Sequence, residues 1–205
     1  NLYKQRFPMG VSGIKESLRG ARDTNAANVL NFGFNPQFTL ADGQPLFSTQ
    51  HPIDGGVVAN TFANVYTQLS QAALEDADIL INIFRGANDT LLPVKAQKLI
   101  VGPYLKYAAE RLLRSEFRTD TSNNDVSALY TAGSYPQGYT VNHYLTSPSF
   151  WAVKTNNPGL IFLRRQNVQV DMFPDQYTQN IITLGTERYS VGCYDFRSIF
   201  GSQGA

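Results

Sequence analysis

Few side chains in this sequence of 205 residues are suited to catalysis or metal binding: two histidines, His51 and His143, and one cysteine, Cys193. His51 lies between Ser48 and Asp54, and these are the residue types of a nucleophile, a general base and the carboxylate that orients the base. The members of such a triad are normally distant in sequence, and the chain has no Gly-x-Ser-x-Gly nucleophile turn. We therefore interpret both histidines as hydrogen-bonding residues of loops or core. We predict that the chain is not an enzyme and assign no catalytic residue.

Metal and cofactor sites have equally little support in the sequence. A single cysteine permits neither an intrachain disulfide nor a four-thiolate zinc site, and two histidines leave little room for a multi-histidine metal centre. The chain contains no phosphate-binding loop and no dinucleotide-binding glycine pattern. We predict no metal and no cofactor.

The charge balance and the aromatic content are unusual. Charged residues make up 16% of the chain, compared with about 25% in an average soluble domain, whereas aromatic residues make up 12%. The formal net charge of +1 argues against a dedicated nucleic-acid-binding protein, which carries a concentrated basic excess. Two interpretations remain open on composition alone: a surface solvated by uncharged polar residues, or a surface largely covered by other subunits.

The periodicity of apolar residues predicts helices first and strands later. Residues 11–34 and 62–84 have helical spacing, and a third helix is expected to begin at Pro103, which suits a first helical turn. The polar segment 118–125 predicts an exposed loop. Short apolar or alternating runs predict strands at 98–101, 139–141, 150–153, 160–163, 168–170, 181–184 and 189–194. This order favours an α+β fold over a doubly wound parallel sheet.

Several segments, in order, resemble the major capsid proteins of tailed bacteriophages that have the Hong Kong 97 fold, including the head subunits of Mu-like phages. One is Asp-Gly-x-x-Leu-Phe-Ser-Thr-x-His at residues 42–51, which follows the first helix. The other segments that carry the resemblance are residues 99–105, 109–116, 123–125, 187–192, 195–197 and 201–202. Together they extend over most of the chain.

The resemblance implies a peripheral domain with a long spine helix and an extended sheet, and an axial domain with mixed helices and strands. On this basis we expect residues 1–60 to form the first part of the peripheral domain, with residues 11–34 as the spine helix. Residues 61–163 would form the axial domain, and residues 164–205 would return to the peripheral sheet. The family also has an N-terminal arm and a hairpin loop before the spine helix, and we expect these upstream of Asn1.

The function implied by the resemblance is structural. Copies of the chain would assemble into hexamers and pentamers that form an icosahedral shell around double-stranded DNA, without sequence-specific DNA binding and without a membrane. Portal, scaffold or cement proteins are further partners implied by the family, and the location would be the virion after assembly in the host cytoplasm. With this resemblance, the composition favours the interpretation that other subunits cover much of the surface.

Charged and polar residues near the quoted segments are candidates for contacts between subunits, with the arginines pairing to carboxylates such as Glu110, Glu116 or Asp171 of a neighbour. The candidates are Arg111, Arg114, Asn123, Asn124, Asp125, Arg164, Arg165, Glu187, Arg188 and Arg197. Three alternatives remain open: the shell protein of a cellular nanocompartment of the encapsulin type, a small soluble enzyme that uses a histidine, and a monomeric binding module.

Overall fold

The structure is a computed structural model that describes residues 2–118, 125–178 and 180–204. Its helices are α1 (Leu2–Asn31), α2 (Gln71–Asn82), α3 (Lys106–Arg114) and α4 (Ala128–Ala132). Its strands are β1 (His51–Ile53), β2 (Gly56–Val58), β3 (Ala96–Val101), β4 (Tyr139–Val141), β5 (Trp151–Thr155), β6 (Leu160–Pro174), β7 (Ile181–Cys193) and β8 (Ile199–Ser202). The predicted mixture of helices and strands is thereby confirmed.

The chain forms two compact units. The first unit comprises Asn1–Ala26 and Phe162–Gly192, and the second unit comprises Ala27–Ile161 and Cys193–Ala205. Helix α1 and strands β6 and β7 each contribute residues to both units. The expected domains over residues 1–60, 61–163 and 164–205 stay a prediction.

A four-stranded sheet forms the centre of the second unit, in the order β4-β3-β5-β8. Strand β3 is parallel to β4 and antiparallel to β5, which is antiparallel to β8. Because successive residues of a strand point to opposite faces, Trp151 joins the apolar cluster that contains residues of α2 and α3. Its neighbour Ala152 joins a second cluster with Leu30 and Phe47. The sheet therefore has an apolar core on each face.

Helix α2 is shorter than the helix predicted over residues 62–84. It begins after Ser70, whose backbone is extended and whose Oγ accepts a hydrogen bond from the N–H of Ala73 at 3.2 Å. The residues before it remain non-helical because their backbone carbonyls accept hydrogen bonds from residues at and after the end of β8. Ser202 Oγ donates to the carbonyl of Thr67 at 2.7 Å, the N–H of Gln203 donates to the carbonyl of Val65 at 2.8 Å, and Thr61 Oγ1 donates to the carbonyl of Gly201 at 2.7 Å.

Helix α3 follows the prediction more closely. Pro103 begins a short 3-10 turn, Pro103–Leu105, and the α-helix continues from Lys106. Proline suits this position because the first N–H groups of a helix have no intrahelical acceptor. Ala109 and Leu112 are buried and fix this helix on the apolar cluster beneath it.

In the first unit, α1 packs against the two-stranded sheet formed by β6 and β7. A side chain added at Gly185 of β7 would come within 2.7 Å of Ile14 Cγ2 and 2.9 Å of Leu18 Cδ1, so glycine permits the close approach. Asn25 Nδ2 donates to Tyr189 Oη at 2.7 Å. Helix α1 begins earlier than the predicted helix over residues 11–34, at Leu2, and ends at Asn31.

Strands β6 and β7 are each longer than predicted. Each unites two predicted strands, because the polar residues between the apolar runs stay extended within the two-stranded sheet. Along β6 the half-buried side chains of Gln166, Val168 and Val170 alternate with exposed neighbours, as the pattern at 168–170 indicates.

The predicted loop over residues 118–125 lies mostly outside the described residues. At its base, the N–H of Arg118 donates to the carbonyl of Asp125 at 2.7 Å, and Phe117 pairs with Val126 in an antiparallel bridge. Four short elements of three to five residues, β1, β2, α4 and β8, were not predicted from the sequence.

Candidate functional site

A buried polar site in the second unit is centred on His51, which is fully buried. His51 Nδ1 lies 2.6 Å from Asp42 Oδ2, and His51 Nε2 lies 3.2 Å from Asn60 Oδ1. The imidazole stacks on the ring of Phe196, with centroids 3.9 Å apart and an interplanar angle of 2°. We call Asp42, His51, Asn60 and Phe196 the histidine cluster.

The orientation of the Asn60 amide determines what His51 does. Asn60 Nδ2 donates to the carbonyls of Leu46 at 2.6 Å and Phe196 at 3.1 Å, so Oδ1 is the atom that faces the imidazole. The backbone N–H of Ser48 also donates to Oδ1, at 2.9 Å. Both ring nitrogens of His51 therefore lie within hydrogen-bond distance of a side-chain oxygen, Asp42 Oδ2 and Asn60 Oδ1.

The histidine cluster is a structural connection and not a catalytic site. It joins the loop at Asp42 and the β1–β2 hairpin to the segment before β8, through His51, Asn60 and Phe196. His51 has no free nitrogen to act as a base. Ser48 Oγ donates to Gln44 Oε1 at 3.2 Å and is not directed at the imidazole. The interpretation of His51 as a hydrogen-bonding core residue is confirmed, whereas His143 is exposed.

A cavity of about 310 Å³ lies next to this cluster. Its charged groups are paired within the chain: Asp42 with His51, and Arg197 with Asp195 at 3.3 Å. Arg197 Nε also donates to the carbonyl of Arg85 at 2.8 Å. The cavity is lined by Leu40, Ala41, Asp42, Tyr194, Asp195, Phe196 and Arg197. It therefore offers no unpaired charge to a ligand.

The pKa shifts of the titratable groups are explained by burial and by hydrogen bonds within the chain. Burial raises the pKa of the Cys193 thiol, which keeps it protonated and a poor nucleophile. Burial raises the pKa of Tyr135 far above its ordinary value, and the Tyr135 hydroxyl donates to the carbonyl of Leu74 at 2.9 Å. A hydrogen bond to Glu110 raises the pKa of Tyr139.

The described residues hold neither a metal-ligand cluster nor a membrane-spanning helix. Over residues 2–118, 125–178 and 180–204, no group of three or more His, Cys, Asp or Glu side chains could hold a metal ion. In that part of the chain, no helix has the length and apolar character needed to cross a bilayer.

The candidate contact residues occupy three kinds of position. Glu187 and Arg197 are engaged within the chain: the side chain of Glu187 is 3% exposed and its Oε1 accepts from Arg22 Nη1 at 3.3 Å. Asn123 and Asn124 lie outside the described residues. The exposed candidates are Arg111, Arg114, Asp125, Arg164, Arg165 and Arg188. Contacts of these residues with a second subunit stay a prediction.

The exposed face of α3 and of the turn before it combines aromatic and basic side chains. Tyr104 and Tyr107 are 80% and 72% exposed. Arg111 and Arg114 continue the same helical face, because successive members of the set are three, four and three residues apart. Arg114 lies 3.2 Å from Glu110. We call Tyr104, Tyr107, Arg111 and Arg114 the basic face. Both arginines were candidate contact residues from the sequence, whereas the two tyrosines were not, although they share the same helical spacing.

The exposed face of α2 is acidic and apolar. Ala72, Asp76 and Ile79 of α2 and Ile83, the residue that follows its last turn, are exposed and lie four, three and four residues apart, so they form one stripe. Helix α2 carries three carboxylates and no basic residue. We call these four residues the acidic face.

A family of known proteins matches the part of the chain that contains both faces. Residues 63–132 match the family model "Mu-like prophage major head subunit gpT". This confirms the resemblance to Mu-like head subunits, and it agrees with the prediction of a structural protein rather than an enzyme. No curated protein matches the chain significantly in sequence.

A virus-like particle from Pyrococcus furiosus is among the solved structures that are similar to the chain. The identity is 15% and the TM-score is 0.36, over 53% of this chain and 42% of that chain. The match thus spans less than half the length of that protein.

Proposed function

From the match of residues 63–132 to a phage head subunit, we propose that the chain is a structural subunit of a phage head, which builds a closed shell from copies of itself. That match is the observation that carries the proposal. The structure supports it indirectly, because the buried polar groups of the histidine cluster are satisfied within the chain and have the character of a fold-stabilising network.

The proposal includes the Hong Kong 97 architecture. In this assignment α1 is the spine helix, and the first unit, with β6 and β7, is the peripheral domain. The second unit, with its four-stranded sheet covered on both faces, is the axial domain. Support comes from the 30-residue length of α1 and from the division of the chain into a helix-and-ribbon unit and a sheet-centred unit.

Assembly is proposed to proceed through hexamers and pentamers. A subunit that uses two different patches of its surface for contact generates rings when the rotation between neighbours closes. Obligate contacts of this kind bury about 2,000 Å² or more in total. The low charge content and the exposed tyrosines suit such contacts, because tyrosine combines apolar area with a hydroxyl group.

The shell is proposed to enclose double-stranded DNA in the virion, without sequence-specific contacts. The near-neutral net charge of +1 supports a lining that tolerates DNA without binding it strongly. Portal, scaffold or cement proteins would be additional partners, and assembly would take place in the host cytoplasm.

Electron microscopy of the purified full-length product tests the proposal. We expect icosahedral shells or capsomer rings, and nuclease-protected DNA in particles taken from infected or induced cells. Particles that carry an enzyme instead of DNA would identify a nanocompartment and contradict the phage assignment. A product that shows no ring or shell under any assembly condition contradicts the structural role itself.

A further inference from the structure

We propose that the basic face of one copy binds the acidic face of the next copy, and that this contact joins neighbouring subunits within a ring. The inference rests on the proposed function and identifies the surfaces that carry it. Both faces belong to the second unit and lie within residues 63–132, the part of the chain that matches the head-subunit family.

The two faces are complementary in charge. The basic face holds two arginines, Arg111 and Arg114, of which Arg114 pairs with Glu110 of its own helix, whereas the acidic face holds one carboxylate, Asp76. Helix α2 as a whole carries three carboxylates and no basic side chain. Within the described residues, neither Arg111 nor Asp76 forms an ion pair of its own. Each is therefore available to a partner of opposite charge, and such complementarity selects the partner and fixes the orientation of the contact.

The two faces also expose apolar groups at matching intervals. Tyr104 and Tyr107 are one helical turn apart, and Ile79 and Ile83 are likewise one turn apart, with exposed fractions of 59% and 53% for the isoleucines. Paired helices bury side chains with this spacing in each other's grooves. Tyrosine and arginine are also the residue types that contribute most to binding at interfaces.

The two faces are not paired with each other inside one subunit. Both helices lie over the same apolar cluster on one face of the sheet, and both stripes remain exposed there. A contact between two different faces of identical subunits is heterologous, so each copy uses its basic face on one neighbour and its acidic face on the other. That is the kind of contact that closes a ring.

Charge reversal tests the contact in the full-length product. Arg111→Glu and Asp76→Lys each place like charges opposite each other, and we expect each to raise the protein concentration needed for assembly by at least about tenfold. The double variant with both changes restores opposite charges across the contact and is expected to regain most of the assembly. Sedimentation velocity over a concentration series measures this threshold.

Matched controls reverse exposed charges elsewhere in the second unit. Lys95→Glu and Asp54→Lys change the net charge by the same amounts as the test variants, and we expect both to assemble like wild type. If Arg111→Glu and Asp76→Lys also assemble like wild type, this inference is overturned while the proposed function stands. If both single variants fail and the double variant fails equally, the pairing of these two faces is overturned.

Two further results would lead to different conclusions. A wild-type product that stays monomeric contradicts the proposed function as well. Binding of the wild-type subunit to duplex DNA that depends steeply on salt and is lost in Arg111→Glu would assign the basic face to nucleic acid, and would overturn the inference.

Discussion

Gly201 of β8 lies directly against the ring of Phe47, and no side chain fits between them. The opposite edge of the ring lies against Gly33, where an added Cβ would come within 2.6 Å of Phe47 Cδ2. Phe47 is thus held between two glycines, one just after α1 and one near the end of the chain. The backbone at Gly201 is also fixed, because its N–H donates to the carbonyl of Asn60 at 3.1 Å.

Gly201→Ala is expected to destabilise the second unit by about 1–3 kcal/mol, because the methyl group overpacks a site that cannot shift. Urea unfolding followed by the fluorescence of Trp151 measures this, since that residue is the only tryptophan and is buried in the same unit. The control is Gly56→Ala, where no atom lies within 4 Å of the added Cβ, and a change within about 0.5 kcal/mol is expected. Equal effects of the two substitutions would contradict the packing argument.

Asp42→Asn is expected to cost about 1–3 kcal/mol of unfolding free energy, because it removes the carboxylate opposite the buried imidazole of His51 while keeping the side-chain size. The same fluorescence assay measures the loss. Asp54→Asn serves as the control, since Asp54 is exposed and outside the histidine cluster. If Asp42→Asn is as stable as Asp54→Asn, the pairing of Asp42 with His51 does not stabilise the fold.

The histidine cluster could be predicted from the sequence only in part. His51 could be interpreted as a hydrogen-bonding residue, because a chain with two histidines and no nucleophile turn gives little support for a catalytic triad or a multi-histidine metal centre. Its partners could not be found, because Asn60 reaches the carbonyl of Phe196 across 136 residues of sequence and no local pattern encodes that contact.

Local signals predicted elements well where the local and tertiary preferences agree. Pro103 correctly marks the start of the third helix, and the apolar run at 98–101 lies within β3. Residues 62–70 have helical spacing, but they form hydrogen bonds with residues 202 and 203 instead of a helix. These tertiary contacts override the local preference for a helix. The exposure of the candidate contact residues could be predicted only in part: Arg111 and Arg114 are exposed, as charged residues usually are, whereas Glu187 is buried by its packing in the first unit.

Gly185→Ala tests the packing of α1 on β7 in the first unit. We expect a loss of about 1–3 kcal/mol, because the added methyl group meets Ile14 and Leu18 at distances too short for contact. Hydrogen exchange of the amides of residues 14–22 measures the effect, and faster exchange is expected. Gly192→Ala, on the same strand with no atom within 4 Å, should leave exchange unchanged. Unchanged exchange in Gly185→Ala would contradict the close approach.

Cys193 is expected to make the protein less stable in alkali. Burial raises the pKa of its thiol in the folded state, so the unfolded chain loses this proton first. The contribution is therefore fully present below about pH 8.5 and is lost as the pH rises through the folded-state pKa. Unfolding measured between about pH 7.5 and 9.5 should show a smaller loss of stability in Cys193→Ala than in wild type. An identical pH dependence in the two proteins would contradict the shift.

The same environment predicts slow alkylation. At about pH 8, iodoacetamide should modify Cys193 at least about tenfold more slowly in the folded protein than in urea, because the thiolate is the reactive form and the residue is partly buried. Mass spectrometry over time measures both rates. Equal rates would show that the thiol is neither shielded nor shifted.

Sedimentation velocity of the wild-type full-length product tests the central claim most directly, because a shell subunit must associate with copies of itself. We predict discrete species far larger than a single subunit, which grow at the expense of the monomer as the protein concentration rises. A single monomeric boundary that persists at every concentration and salt condition would contradict the assignment of this chain as a head subunit.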